Sequence, residues 1–444
     1  MIASKHTGIR MAHSIFYFDS FSFCAETGDI LFSYHIEGGP TFQEKIVFPN
    51  APFNIDTQTQ KALNQVLFLA HIACGISYYK AFLSEEIKIL SGSLTQEQAK
   101  FFDNFYLKGL GEFAIKNNLN LQGKIHFPFD EKISDKIPLA LEPKALVPVG
   151  GGKDSCVVME LLKELNIPAT GVACGGSKSQ SACAEKSGLP YFTFSRTIDP
   201  KLIELNNSGK VYNGHIPITG VFAFLLWTLA LLRKEKYVVM ACEKSANSGN
   251  MKQGELTINH QWSKSFEFEK MFYDLTQKIT PEFRYFSLLR PISEAHIAKL
   301  FAQKCEKYFD VFTSCNKAFK LDLNKRLDRW CGACDKCRFV FLILAPFMDK
   351  NTLIHAVGTN PLNDESQLEG YRELLGLSGH KPFECVGEVD ECCWAFNQLK
   401  QNPSWQNDYV VKALSVPAMN APFEVSDEHL IPKELQDVMA RFRT

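Results

Sequence analysis

The chain has 444 residues, enough for two or three domains at ~100–200 residues each, and its 36 Phe and 45% hydrophobic residues promise large cores. A formal net charge of −1 excludes an overtly basic nucleic-acid binder, leaving room only for a local groove. Met1 to His6 is not followed by a signal-peptide core, and the longest apolar run, Val221–Leu232, contains Thr228 and falls short of the ~20 residues of a membrane span. The fourteen cysteines therefore read as reduced thiols of a soluble, cytoplasmic protein with no membrane partner, some of them metal ligands.

Short alternating runs at 14–18, 30–34 and 45–48 predict strands, with Glu26-Thr27-Gly28-Asp29 as a turn. Thr57–Leu83 reads as one long or two short helices. Thr95–Asn117 reads as another, opened by Thr95 with Glu97 or Gln98. Together these make an α+β N-terminal domain over residues 1–140. From Ala145 strands and helices alternate: strands at 145–149, 169–173, 191–194, 237–241 and 285–288, helices at 219–232 and 293–304. That alternation predicts an α/β fold, a doubly wound parallel sheet over 141–350 whose ligands lie beyond the strand carboxyl ends. Residues 351–444 form a small mixed C-terminal region, helical at 367–375.

Ala145–Val149 is an apolar strand, followed by Gly150, Gly151 and Gly152, then Lys153-Asp154-Ser155 and an amphipathic run to Leu165. Strand, glycine turn and helix N-terminus make an anion site, because unhindered backbone N–H groups and the helix dipole both favour a phosphate. Asp154 or Ser155 can also cap the helix. Walker A fails: Asp154 follows Gly-Lys, and Val147 stands where its first Gly belongs. The segment instead resembles the PP-loop of N-type ATP pyrophosphatases, Ser-Gly-Gly-x-Asp-Ser, with Gly150 in place of the leading Ser. That resemblance implies a HUP-like nucleotide domain that binds the pyrophosphate end of ATP while an oxygen of the substrate attacks the α-phosphorus.

Other strand ends carry polar groups. Cys174-Gly175-Gly176-Ser177 follows the second strand. Glu243-Lys244-Ser245-Ala246-Asn247-Ser248-Gly249-Asn250 follows the fourth. Glu243 suits Mg2+, and Ser245, Asn247 and Asn250 suit a ligand, although a plain loop has the same composition. Asn213-Gly214-His215 precedes the buried helix, and Asn259–Ser265 supplies His260 and Lys264. His215, His260 and Lys264 are candidate acids or bases, as are the thiols of Cys174 and Cys242. Arg290 could meet a phosphate or cap the sheet. Cys331, Cys334 and Cys337 share two-residue spacing, and Cys315 could complete a closed, structural Zn2+ site, with iron–sulfur ligation as the rival. The cluster also resembles the zinc site of PP-loop enzymes making 7-cyano-7-deazaguanine.

Taken together, Gly75–Phe82, Tyr106–Phe113, Val149–Ser155, Ser245–Asn250, Asn259–Ser265, Arg329–Cys337 and Lys381–Glu388 resemble the MurL family over most of the chain. The resemblance implies an ATP- and Mg2+-dependent epimerase that inverts the terminal L-glutamate of UDP-N-acetylmuramoyl-L-alanyl-L-glutamate (UDP-MurNAc-L-Ala-L-Glu) through an adenylate, releasing AMP and pyrophosphate for peptidoglycan synthesis. It implies an L-glutamate-adding muramyl ligase as functional partner, while the near-zero net charge gives no expectation of nucleic acid. In this reading Gly151, Gly152, Lys153 and Ser155 hold pyrophosphate, Asp154 orients the loop or magnesium, and the N-terminal domain grips the nucleotide-sugar. The alternative is a PP-loop enzyme of tRNA modification or 7-deazaguanine nitrile synthesis.

Overall fold

The structure, a computed structural model, describes residues 14–443 apart from 132–133, 255, 321–322 and 380–383. Met1 to His6 and Lys381 to Phe383, used above, lie outside the described residues. The fold is mixed α/β. Its residues divide into two compact units, one of 1–142, 193–237 and 262–285, the other of 143–192, 238–261 and 286–444.

In the first unit Ile15–Cys24, Asp29–Ile36 and Thr41–Val47 form an antiparallel meander. Each alternates buried and outward residues, as a half-covered sheet requires. Glu86–Ile89 adds a parallel edge beside the first of these strands. One unbroken helix, Thr57–Phe82, begins at an Asp56 cap and ends in a left-handed Leu83. It is buried on nearly every face and packs on the apolar helix Ile218–Leu232. A buried Arg196–Glu44 pair, with Ser77 accepting a further guanidinium hydrogen bond, is fully neutralised within this core.

The helix expected over 95–117 is two helices, Gln96–Gly109 and Gly111–Lys116, meeting at Leu110. The expected Thr95 cap is present as a reciprocal capping box with Gln98. The break follows from the glycines flanking Leu110, each weakening the helix by ~1 kcal/mol. Gly109 also lies where a Cβ would meet the Pro217 ring at 2.5 Å.

Strands from 142 onward lie in the order Arg284–Ser287, Glu235–Met240, Glu142–Pro148, Ala169–Cys174, Tyr191–Thr197. Numbered along the chain from Glu142–Pro148, that is 5-4-1-2-3, and the central pair is parallel. The order reverses between the first and fourth strands, so the ligand crevice of this topology lies where Val149–Ser155 and Cys242–Asn250 emerge. Helices Asp335–Leu344 and Val389–Gln401 pack against each other and against Glu294–Lys304.

Candidate active site

The strand Glu142–Pro148 delivers the chain into Val149–Gly152, and helix Lys153–Glu164 follows at once. The helix cap is Gly152, without a side-chain cap, so Asp154 and Ser155 lie inside the first turn. This corrects the capping expectation: the turn closes one residue too early for either side chain to cap. Ser155 Oγ donates instead to Gly152 O at 3.1 Å.

Two of the three glycines are required by contact. Gly151 has φ +78°, and a Cβ there would meet Ser179 Oγ at 2.8 Å and the Gln180 nitrogen at 3.1 Å. A Cβ on Gly152 would meet Ser314 Oγ at 2.4 Å. Gly151 O also accepts the Thr313 N–H at 2.8 Å and the Cys183 thiol at 3.6 Å. Gly150, by contrast, faces open space, and so does Gly175 at φ +76°. The loop is thus clamped from beneath by 313–314 and open at Gly150, the side from which a phosphate can approach.

Lys153 is 1% exposed, and its ammonium bonds both Asp154 Oδ1 and Glu294 Oε2. Burial opposes its charge, but the two carboxylates outweigh burial and keep the ammonium protonated. Glu294, 2% exposed, opens helix Glu294–Lys304 behind a Ser293 cap. Burial, with Asp154 and Glu243 nearby, pushes its carboxyl up to about 7 against the pull of Lys153. Glu391 Oε2 accepts the Ala295 N–H at 2.8 Å and so pins the same helix turn. Its carboxyl is pushed up to about 8, first by burial, then by Glu294 and Glu243. A Cβ on Gly387 would stand 3.4 Å from Glu294 Cβ, so the chain at Gly387 packs against the stem of this side chain.

Glu243 is buried, accepts Ser245 Oγ at 3.2 Å, and is anchored through its backbone oxygen by buried Arg290 at 2.7 Å. The structure joins two stretches that were separate in the sequence reading. A hairpin, Met251–Gln253 with Leu256–Ile258, folds Asn259–Gln261 back on Ala246–Asn250. Asn259 Nδ2 donates to Ala246 O at 2.9 Å, and the His260 N–H donates to Asn250 Oδ1 at 2.8 Å. Asn247 is exposed, and Cys242 is buried with its N–H on Ser287 Oγ. Cys174 is half-buried. His215 and Lys264 belong to the first unit; His215 Nδ1 lies 3.3 Å from Glu112 Oε2.

The four cysteines converge. Their Sγ atoms all lie within 4.8 Å of one another, with pairs at 3.4, 3.7 and 4.0 Å. Thiolates around tetrahedral zinc at Zn–S ~2.3 Å stand about 3.8 Å apart, so the donor set fits a closed site. Cys315 and Cys337 are buried, and Phe319 and Trp330 pack over the cluster. Because Cys315 follows the Thr313 and Ser314 that press on Gly151 and Gly152, the cluster fixes the floor of the loop.

The sequence pattern does not single out Glu294 or Glu391. Ser293-Glu294 reads as an ordinary helix start, and nothing local distinguishes a carboxylate aimed at Lys153 from one at a helix dipole.

Family profiles described as the MurL N-terminal domain and the MurL C-terminal domain match residues 9–288 and 311–429. The chain belongs to the MurL family. A protein of Xanthomonas oryzae pv. oryzae is 43% identical over 390 residues, covering 87% of this chain and 86% of its own. One from Micromonospora sp. is 38% identical over 449 residues, covering 96% and 98%. One from Salinispora tropica is 38% identical over 414 residues, covering 90% and 88%. All three are named UDP-N-acetyl-alpha-D-muramoyl-L-alanyl-L-glutamate epimerase. Among the described residues no helix is long and apolar enough to cross a membrane.

Proposed function

We propose that this protein is an epimerase that inverts the terminal L-glutamate of UDP-MurNAc-L-Ala-L-Glu, activating the carboxylate with ATP as an acyl-adenylate. The epimerase reading is carried by the name that relatives 38–43% identical over most of the chain share. None of these three carries a tRNA-modifying or deazaguanine name.

Adenylation answers the chemical difficulty. A Cα proton beside a carboxylate is hard to remove, because the carbanion adds charge to an existing anion. Carboxylate attack on the α-phosphorus displaces pyrophosphate and gives a mixed anhydride with AMP, in which the carboxyl group is neutral and becomes an electron sink. A base then takes the Cα proton, reprotonation from the other face inverts the centre, and hydrolysis of the adenylate makes the sequence irreversible. AMP and pyrophosphate are the by-products.

The PP-loop assignment is supported by the Gly-Gly-x-Asp-Ser order of 151–155 on a strand-to-helix turn and by the 5-4-1-2-3 sheet. The backbone N–H groups of 150–153 and the Ser155 hydroxyl receive pyrophosphate, with Lys153 supplying charge beneath the loop. Ser245, Asn247 and Asn250 line the crevice on the fourth strand's side. Asp154, Glu243 and Glu294 have the oxygen chemistry that magnesium prefers, and magnesium there would neutralise the phosphates. Cys315, Cys331, Cys334 and Cys337 would hold zinc as a closed, structural centre. The proton-transfer pair is drawn from His215, His260, Lys264, Cys174 and Cys242. A muramyl ligase that adds L-glutamate supplies the substrate, and a nucleotide-activated precursor places the reaction in the cytoplasm.

The test is turnover with ATP, Mg2+ and UDP-MurNAc-L-Ala-L-Glu. D-Glutamate in the product with stoichiometric pyrophosphate supports the proposal. Inversion without pyrophosphate would keep the epimerase and remove the adenylate.

A further inference from the structure

Three stretches of the first unit that the mechanism above leaves without a binding role meet at one place. Lys80 comes from the end of helix Thr57–Phe82, Phe113 from helix Gly111–Lys116, and Asn213 from the loop before helix Ile218–Leu232. Lys80 is 5% exposed, with Nζ 3.1 Å from Asn213 Oδ1 and 5.9 Å from the centre of the Phe113 ring. Among the described residues its ammonium has no carboxylate partner. Every other deeply buried side-chain cation discussed above has an anionic or backbone acceptor: Lys153 has Asp154 and Glu294, Arg196 has Glu44, and Arg290 has the Glu243 carbonyl.

The loop over Lys80 is built to stay in place. The Tyr212 N–H donates to Ala81 O at 3.0 Å, Asn117 Nδ2 donates to Asn213 O at 3.2 Å, and the Gly214 N–H donates to Asn213 Oδ1 at 2.8 Å. Gly214 has φ +153°, and a Cβ there would stand 3.2 Å from the Phe113 ring. Asn213 and Gly214 are themselves exposed, so solvent reaches the rim of the site. An ammonium buried without a counter-charge destabilises the fold, and burial alone lowers Lys80 to about 8. Such an arrangement persists where an anion completes it.

We infer that Lys80, under the Asn213–Gly214 loop, is an anion-binding site that receives a carboxylate or phosphate of the nucleotide dipeptide. This rests on the epimerase reading and assigns the first unit a defined substrate contact. The shared chemistry is a compact oxyanion small enough to displace the Asn213 amide from the ammonium. Its source is either the diphosphate or a glutamate carboxylate.

Two variants test it. Lys80→Met should raise KM for UDP-MurNAc-L-Ala-L-Glu at least tenfold, leave KM for ATP within twofold, and leave the ligand-free Tm unchanged or higher. Asn213→Asp, isosteric at an exposed position, places a carboxylate on Lys80. It should raise Tm and weaken the nucleotide dipeptide at least tenfold. Calorimetric binding of UDP and of L-Ala-L-Glu to wild type and Asn213→Asp then assigns the source, since loss of one names the diphosphate and loss of the other the carboxylate. Undiminished affinity for the nucleotide dipeptide, UDP and L-Ala-L-Glu in Asn213→Asp would overturn the site, as would a Lys80→Met protein with lower Tm and unaltered KM. If wild type itself yields no D-glutamate, the epimerase reading fails, and the two binding measurements still decide the anion site.

Discussion

Lys153 and Lys80 are both buried ammonium groups, one in each unit, and their surroundings differ in kind. Lys153 is held by Asp154 and Glu294, with Glu243 acting on Glu294 from further out. Lys80 has an amide oxygen and an aromatic ring. The first is an excess of negative charge around one cation, suited to a region that receives phosphates together with a divalent metal. The second is a cation kept short of negative charge, suited to receiving an anion alone. Two lysines of similar burial therefore carry opposite expectations for the same substitution.

Loss of the proposed zinc gives the largest expected effect, confined to the second unit, where its four cysteines lie. Structural zinc supplies ~10 kcal/mol or more of apparent folding free energy in small domains. Chelation or Cys331→Ser should lower Tm and release the 313–314 segment from the loop, abolishing pyrophosphate release, while the antiparallel meander of the first unit keeps its hydrogen-exchange protection. A metal-free protein with full Tm would contradict the staple.

The sharpest test of the comparison is Lys153→Met. Removing one partner of a buried ion pair costs ~3–5 kcal/mol, because the orphaned charge stays buried. Denaturant midpoints should therefore fall for Lys153→Met and hold or rise for Lys80→Met. Equal losses in both would erase the distinction.

Next come the loop glycines. Gly152→Ala places a methyl 2.4 Å from Ser314 Oγ and should reduce kcat/KM by ~100-fold, about 2.7 kcal/mol, through a displaced loop. Gly150→Ser enters open space and should leave activity within about threefold, below 1 kcal/mol. The reverse ranking would mean that the loop faces the other way.

Glu391 gives a smaller, pH-dependent effect. Its folded value, raised to about 8, means that the native state binds a proton that the unfolded chain has released. Its stabilising contribution is complete below the usual carboxylate range and is lost as pH rises towards about 8. Glu391→Gln keeps an acceptor for the Ala295 N–H and removes the titration. Wild type should therefore lose Tm relative to Glu391→Gln between pH 5 and 8, with a constant gap above that. A gap independent of pH would mean that the carboxyl does not titrate there.

What could be read from the sequence was local. The strand, glycine turn and helix of 145–165 lie within one stretch, as do Cys331, Cys334 and Cys337, and the strands and helices expected between 145 and 304 fall within a few residues of their places. The Leu110 break was also written locally, in Gly109 and Gly111, but the apolar periodicity across it dominated the reading. The rest depends on tertiary contact. Glu294 reaches Lys153 across 141 residues and Asn213 reaches Lys80 across 133, and no spacing rule operates over such separations. Glu391 acts through the backbone of Ala295, a partner that no side-chain pattern announces.

In the proposed function a glutamate carboxylate is activated so that its Cα proton can exchange. The most direct test incubates the protein with ATP, Mg2+ and UDP-MurNAc-L-Ala-L-Glu in deuterated water and follows pyrophosphate, glutamate chirality and deuterium at Cα. The account predicts D-glutamate carrying one deuterium at Cα, with one pyrophosphate released per product. D-Glutamate without deuterium, or deuterium exchange that proceeds without ATP, would contradict it.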